Sequence, residues 1–343
     1  MSNAGLDDVI ATIRASLERS EGPGGGLLSD MLAHHLGWFE HAVEAGALLD
    51  SGVMGKLVRP RLCLLSCRAI GGDEQAAVPA AAAVEMIHNY TLIHDDIEDR
   101  DEVRRGRPTL WKVYGEAQAI NAGDYLHSLA YVTLMTNLAG AKVDPERSLK
   151  ALWALSIAGE RLCAGQAHDI ALQSREGVPE DEYLEMVTNK TGALMSAAAS
   201  MGALLGGASN ERAGAFGRFG EQLGVAFQIR DDILGIWGDP EKTGKPVGAD
   251  LARKRCSYPV IWALARPEGP DRGAILAAPR DSSPTALADA VAALERLGAR
   301  ARADQLAGEM HRQAWGALEG LELEPRAAEE LRQFTESLTS RER

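Results

Sequence analysis

The chain has 343 residues, 45% hydrophobic and only 5% aromatic, enough to bury a large core, and its wealth of Ala and Leu favours packed helices over sheet. Its net charge of −13 argues against nucleic acid or anionic membranes as partners, yet local Arg and Lys clusters can still hold a small anion. Cys63, Cys67, Cys163 and Cys256 form no zinc spacing, and Cys63 and Cys67, sharing a helix face, read as buried free thiols.

Residues 1–30 hold an amphipathic segment (Val9, Ile10, Ile13, Leu17) and then Glu-Gly-Pro-Gly-Gly-Gly over 21–26, a flexible break. Neither a signal peptide nor a membrane span is evident, because Pro79, Glu85, His88 and Asn89 break the most apolar segment, 76–93; a cytoplasmic, reduced protein is expected. A helical period resumes over 27–49 with His34, His35, Trp38 and His41, which do not gather on one face with a carboxylate and so read as core or surface residues. Gly55-Lys56-Leu57-Val58-Arg59-Pro60 precedes a helix expected near Arg61, where Lys56 and Arg59 would offer charge and free N–H groups to a phosphate.

The stretch 87–109 carries the strongest signal. Asp95 and Asp99, four apart on a helix, point the same way with Asp96 beside them. Carboxylates this crowded repel unless a cation joins them, and a few hard oxygens suit Mg2+ that also binds substrate phosphates. Arg104, Arg105 and Arg107 follow, with guanidinium forks that match phosphate oxygens, and residues 106–109 read as a closing loop. Alone, such a motif is equally a solvated helix end. A second acidic pair, Asp231-Asp232, lies 231 − 95 = 136 residues on, again after an apolar run and before basic residues.

Between the two, helices are expected over 118–138 and 147–173, with Gln166 and Asp169 three apart as either a satisfied polar pair or site residues. Lys190-Thr191-Gly192 interrupts a helix-compatible run over 183–205. Asn89-Tyr-Thr and Asn189-Lys-Thr fit a glycosylation pattern but fall within helices and are set aside. The Gly238 to Lys245 stretch fails as a P-loop, since five residues separate its glycines, Pro246 stands for Ser or Thr, and no strand precedes it. Residues 267–284 read as a loop and 284–338 as amphipathic helices.

Together the two acidic stretches resemble the aspartate-rich motifs of the trans-isoprenyl diphosphate synthases, the polyprenyl synthetase family, over about residues 55–259. The resemblance implies an all-α, single-domain bundle of ten or more helices around a central catalytic cavity, spanning residues 31–343 after the N-terminal helix and linker, and a homodimer. It implies three Mg2+ ions held by Asp95, Asp96, Asp99, Asp231 and Asp232, with Asp232 acting through water. Lys190, Thr191, Gln228, Lys245 and Arg104 would serve catalysis as the clamp on the allylic diphosphate, and Gly55, Lys56, Arg59, His88 and Arg105 would grip isopentenyl diphosphate; Asp250 matches a further site position. Tyr90 and Thr91, a helical turn below Asp95, would set the floor for the growing chain, a pattern similar to geranylgeranyl diphosphate synthases with farnesyl diphosphate as close competitor. Two departures stand out: Leu57 where the family has Arg, unless Arg61 compensates, and Gly235 where it has the last aspartate, which predicts weakened metal binding. A class I terpene cyclase would need an Asn/Ser/Glu triad at the second site, and a non-catalytic subunit would not need ligands kept at both.

Overall fold

The computed structural model describes residues 4–21, 26–38, 56–175, 177–239, 247–253, 256–266, 269–281 and 283–339. Apart from one short hairpin, every regular element among them is helical. The chain forms two compact units, Met1–Ser156 with Ala198–Ala213, and Ile157–Ala197 with Gly214–Arg343.

The first unit is built on α4 (Val78–Glu98), which packs against α1 (Ala4–Glu21), α3 (Val58–Ala69) and α6 (Glu116–Gly140). Ala80 to Ala83 are all 0% exposed, so neighbouring helices approach α4 from every side, and Pro79 in its first turn has the backbone angle a helix start requires. The amphipathic stripe of α1 is realised, with Val9, Ile13 and Leu17 all buried. After the glycine run, α2 (Leu27–Leu36) precedes α3, and α5 (Leu110–Tyr114) precedes α6. Cys63 and Cys67 are buried free thiols in α3, whereas Cys163 is exposed. Their helix lies tight against α9 (Ala193–Leu205), where a Cβ on Gly202 would stand 2.0 Å from the Cys63 carbonyl oxygen.

The second unit collects Tyr183, Ile229, Ile233, Tyr258 and Leu306 into one buried cluster. These come from α8 (Glu180–Val187), α10 (Asn210–Trp237), α12 (Tyr258–Leu264) and α15 (Ala299–Gly316). A second cluster joins Ile236 and Leu251, the latter in α11 (Ala249–Ala252), to α13 (Pro270–Ala277) and α14 (Pro284–Arg296). The loop expected over 267–284 is thus corrected: α13 occupies its centre, begun by Pro270 and anchored by buried Ile275, so packing overrides a Pro/Gly-rich composition. Ser283 caps α14 by accepting from the Ala286 N–H at 3.3 Å. The chain closes with α16 (Pro325–Thr339).

Candidate active site

In the first unit the acidic motif forms the C-terminus of α4. The helix is stopped by Arg100 at φ 56°, with the Asp101 N–H bonded to the Asp96 carbonyl at 2.9 Å, a left-handed stop usually given to glycine. Its three carboxylates then divide. Asp95 is half-buried and Asp99 exposed, while Asp96 is 1% exposed and turned inward, where Oδ1 accepts from Arg104 Nε at 2.7 Å. Burial pushes the Asp96 pKa up to about 6 against the pull of Arg104, and its Oδ2 has no hydrogen-bond partner. The motif's middle aspartate therefore orders an arginine.

The segment after it is a hairpin, which corrects the expected loop. Val103 pairs with Pro108 and Arg104 with Arg107, leaving Arg105 (φ 51°) and Gly106 (φ 77°) as a two-residue turn with both central residues left-handed. Holding a non-glycine there costs about 1 kcal/mol or more, so the surroundings must fix it. They do: Thr109 Oγ1 and Trp111 Nε1 both donate to the Asp101 carbonyl at 2.8 Å.

Arg59 from α3 joins the arginines of this hairpin. Burial first, then Arg59, Arg105 and Arg104, hold partly buried His88 well below its usual range. Burial, then Arg105 and Arg104, drive His35 to about 3. Both rings stay neutral in a field that has room only for an anion. Lys56 lies exposed just before α3. Leu57, at the expected arginine position, is 4% exposed in a left-handed conformation, so its side chain joins the core. Gly55 and Lys245 fall outside the described residues.

Sequence reasoning missed the polar group beneath these arginines. Glu85 and Asn89 interrupt the apolar run of α4 and are 2% and 1% exposed. Asn89 donates to Glu85 Oε1 at 2.8 Å and accepts from His35 Nε2 at 3.2 Å. Burial raises the Glu85 pKa to about 7, opposed by Arg59, by its Asn89 bond and by Arg105. Because the folded pKa lies above the unfolded one, the ionisation cost is absent below the ordinary carboxylate range and complete above about pH 7. Glu85→Gln should therefore raise stability at pH 8, by on the order of 2–3 kcal/mol at most, and leave it unchanged near pH 4, a difference that thermal melts at the two pH values will read.

Below Asp95, Tyr90 is 7% exposed and wedged between rings, 5.5 Å from His94 and 4.9 Å from His127, with Tyr131 a further 5.2 Å from His127. The α4–α6 contact that makes this possible needs Gly123, where a Cβ would lie 2.3 Å from His94 Nε2. His127 and Tyr131 went unnoticed because their tie to Tyr90 is tertiary. Thr91 is half-buried, and its hydroxyl donates to its own helix at the His88 carbonyl, 2.7 Å away.

In the second unit the Lys190 segment is a turn of π-helix, Thr188–Gly192, between α8 and α9. Such a bulge widens the helix and needs room. α7 (Pro145–Gln173) supplies it at Gly165, where a Cβ would meet Lys190 N at 2.3 Å, and α10 at Gly224, where one would meet Gly192 Cα at 2.8 Å. Lys190 Nζ pairs with Asp169 Oδ2 at 2.5 Å. Thr191 donates to Gln228 Oε1 at 2.9 Å, and Gln228 donates to Asp232 Oδ1 at 3.0 Å. Asp232 also accepts from the Tyr183 hydroxyl at 2.5 Å and the Tyr258 N–H at 2.8 Å. With three donors on its two oxygens and 6% exposure, Asp232 anchors this network; burial lifts its pKa to about 7. Asp231 is exposed.

Gly235 has a local reason. A Cβ there would fall 1.8 Å from Asp250 Oδ2, so the room a third motif side chain would take holds a carboxylate delivered from α11. Among the described residues no three His, Cys, Asp or Glu side chains gather closely enough to hold an ion alone. Hard carboxylate oxygens, one or two per ion, still fit Mg2+ that arrives with a diphosphate and completes its shell with phosphate and water.

A polyprenyl synthetase family model matches residues 46–294. The chain is 43% identical over 270 residues to a (2E,6E)-farnesyl diphosphate synthase of Mycobacterium tuberculosis, covering 78% of this chain and 72% of that protein. It is 44% identical over 237 residues to a geranylgeranyl diphosphate synthase of the same species, covering 69% and 65%. A crystal structure of a polyprenyl synthetase from Streptomyces coelicolor A3(2) matches with a TM-score of 0.86 at 36% identity, over 98% of both chains.

Proposed function

Because the chain belongs to the polyprenyl synthetase family and resembles farnesyl and geranylgeranyl diphosphate synthases within it, we propose that it condenses isopentenyl diphosphate with dimethylallyl, geranyl or farnesyl diphosphate and that its main product is geranylgeranyl diphosphate. The observation that carries the chain length is Tyr90, buried a helical turn before Asp95 and braced by His127. A floor at that depth suits a C20 product. Farnesyl diphosphate is the second reading, favoured by the 43% identity to the farnesyl diphosphate synthase of Mycobacterium tuberculosis.

In this reading Asp95, Asp99 and Asp231 hold the Mg2+ of the allylic diphosphate, three ions in all, and Asp96 and Asp232 set Arg104 and Gln228 in place. Bound Mg2+ supplies charge neutralisation of the leaving group. Arg104, Lys190 and Lys245 stabilise the negative charge that develops on the diphosphate as the carbon–oxygen bond breaks, and Thr191 and Gln228 position the Lys190 turn. Lys190 is already oriented by Asp169, so little reorganisation is needed at the moment of reaction. Gly55, Lys56, Arg59, His88 and Arg105 hold isopentenyl diphosphate, whose double bond attacks the allylic cation; the departed diphosphate takes the proton. Neutral His88 suits this pocket as a hydrogen-bond donor.

A homodimer is part of the proposal. Leu149 and Trp153 on α7 are 67% and 68% exposed, and Val132 and Met135 on α6 are exposed as well, large apolar side chains that a second copy would cover. No described helix is long and apolar enough to cross a membrane.

The test is product analysis with purified protein, Mg2+, isopentenyl diphosphate and each primer in turn. A C20 product is expected from all three primers, and Tyr90→Ala should extend it by one or more C5 units, since removing a buried aromatic ring opens a cavity along the chain's path. A wild-type product that stops at C15, or a Tyr90→Ala product no longer than wild type, overturns the floor.

A further inference from the structure

The last turn of α2 is bonded to the arginine hairpin on one side and to the buried polar group on the other. Gly37 ends the helix at φ 77°, with the Trp38 N–H on the Ala33 carbonyl at 2.8 Å. His34 Nε2 then donates to the Pro108 carbonyl at 2.8 Å, and Arg107 Nη2 donates back to the His35 carbonyl at 3.3 Å. The second bond sets a cation on the carboxyl end of a helix, where the dipole favours it.

The His35 ring is 8% exposed and turns the other way, donating from Nε2 to Asn89 Oδ1 at 3.2 Å. The Asn89 amide passes this on, donating to Glu85 Oε1 at 2.8 Å and to the Glu85 carbonyl at 2.9 Å. A side-chain amide can turn over, and this one is held by a donor on its oxygen and acceptors on its nitrogen. Glu85 is the carboxylate whose charge Arg59 and Arg105 both act on. His35 cannot serve as a cation here, because burial and the neighbouring arginines keep it neutral. Its contribution is one N–H, aimed at Asn89.

We propose that His35 is a positioning residue for the isopentenyl diphosphate pocket: through Asn89 it fixes the Glu85 carboxylate that orients Arg59 and Arg105, while its carbonyl and His34 hold the hairpin that carries Arg105. This rests on the reading of those arginines given above, and it assigns a binding role to a helix that contributes no substrate ligand of its own.

Steady-state kinetics with isopentenyl diphosphate varied at saturating geranyl diphosphate, then the reverse, tests it in His35→Ala, His35→Gln and His34→Ala, alongside calorimetric binding of isopentenyl diphosphate alone. His35→Ala should raise KM and Kd for isopentenyl diphosphate about tenfold, the effect of one buried hydrogen bond and the group it leaves unsatisfied. The turnover number and the KM for geranyl diphosphate should stay within about twofold, since the deleted bond lies in one substrate's pocket. His35→Gln keeps an N–H donor and should recover most of the loss, and His34→Ala should raise the same KM about threefold. Should His35→Ala fail to fold, the Gln and His34 variants decide. An unchanged KM for isopentenyl diphosphate, a joint shift in both KM values and turnover, or no rescue by Gln overturns the inference. A folded wild type that neither binds nor condenses isopentenyl diphosphate instead overturns the proposed function, and the inference with it.

Discussion

Asp95→Asn lowers kcat about a hundred- to a thousandfold at saturating substrates and leaves the melting temperature unchanged or slightly raised. The activity loss follows from removing an anionic ligand to the ion that neutralises the leaving diphosphate, an interaction strongest in the transition state. The stability effect has the opposite sign for a local reason. Asp95 and Asp99 stand at the carboxyl end of α4, where the helix dipole disfavours negative charge by a few tenths of a kcal/mol. Neutralising either one relieves that. Asp96→Asn differs, because burial already lifts the Asp96 pKa to about 6 against the pull of Arg104: neutralising it should raise stability at pH 8 by more than Asp95→Asn does, while the loosened hold on Arg104 lowers activity. Denaturant melts beside single-turnover rates separate the two. An Asp95→Asn enzyme with near-wild-type kcat would remove Asp95 from the metal site.

The helices of this chain were legible because their signals are local. Val9, Ile13 and Leu17 repeat on one face, and the second acidic pair announces itself by composition and spacing. The interruption at Lys190 was legible too, as a polar break in an apolar run, though its form, a π turn, depends on glycines 25 residues before and 34 after it. What the sequence withheld was tertiary. Glu85 and Asn89 look like flaws in a hydrophobic segment until His35 and the arginines are placed around them. Gly235 reads as a lost ligand until Asp250 is found in its space. Asp96 and Asp232 are indistinguishable by pattern from Asp95 and Asp231, and only burial and donors separate residues that hold arginines and amides from residues left facing outward. Within a run rich in Pro and Gly, residues 270–277 became helical because Ile275 had a core to enter.

Gly165→Ala lowers stability by about 1–3 kcal/mol and reduces kcat, although alanine is the better helix former. In the middle of a helix, Gly→Ala gains about 1 kcal/mol of propensity when space is free. At Gly165 space is not free: the added methyl would lie 2.3 Å from Lys190 N and 2.7 Å from Lys190 Cα. Both are backbone atoms, so no rotamer change relieves the contact and the π turn itself must move. That turn carries Lys190, paired with Asp169, and Thr191, bonded to Gln228, so displacement passes directly to the groups proposed to meet the leaving diphosphate. A misplacement of about an ångström there can cost about a hundredfold in rate. Gly308→Ala is the matched control. Gly308 also lies inside a helix, α15, but an added Cβ meets only the Arg312 side chain at 3.5 Å, an ordinary contact. It should gain about 0.5–1 kcal/mol and leave kcat unchanged. Melting temperature and kcat moving down together for Gly165→Ala, with only the former moving up for Gly308→Ala, ties the loss to the π turn. A Gly165→Ala protein as active and as stable as wild type would show that the Lys190 turn tolerates a shift, and that its close seat on α7 serves packing alone.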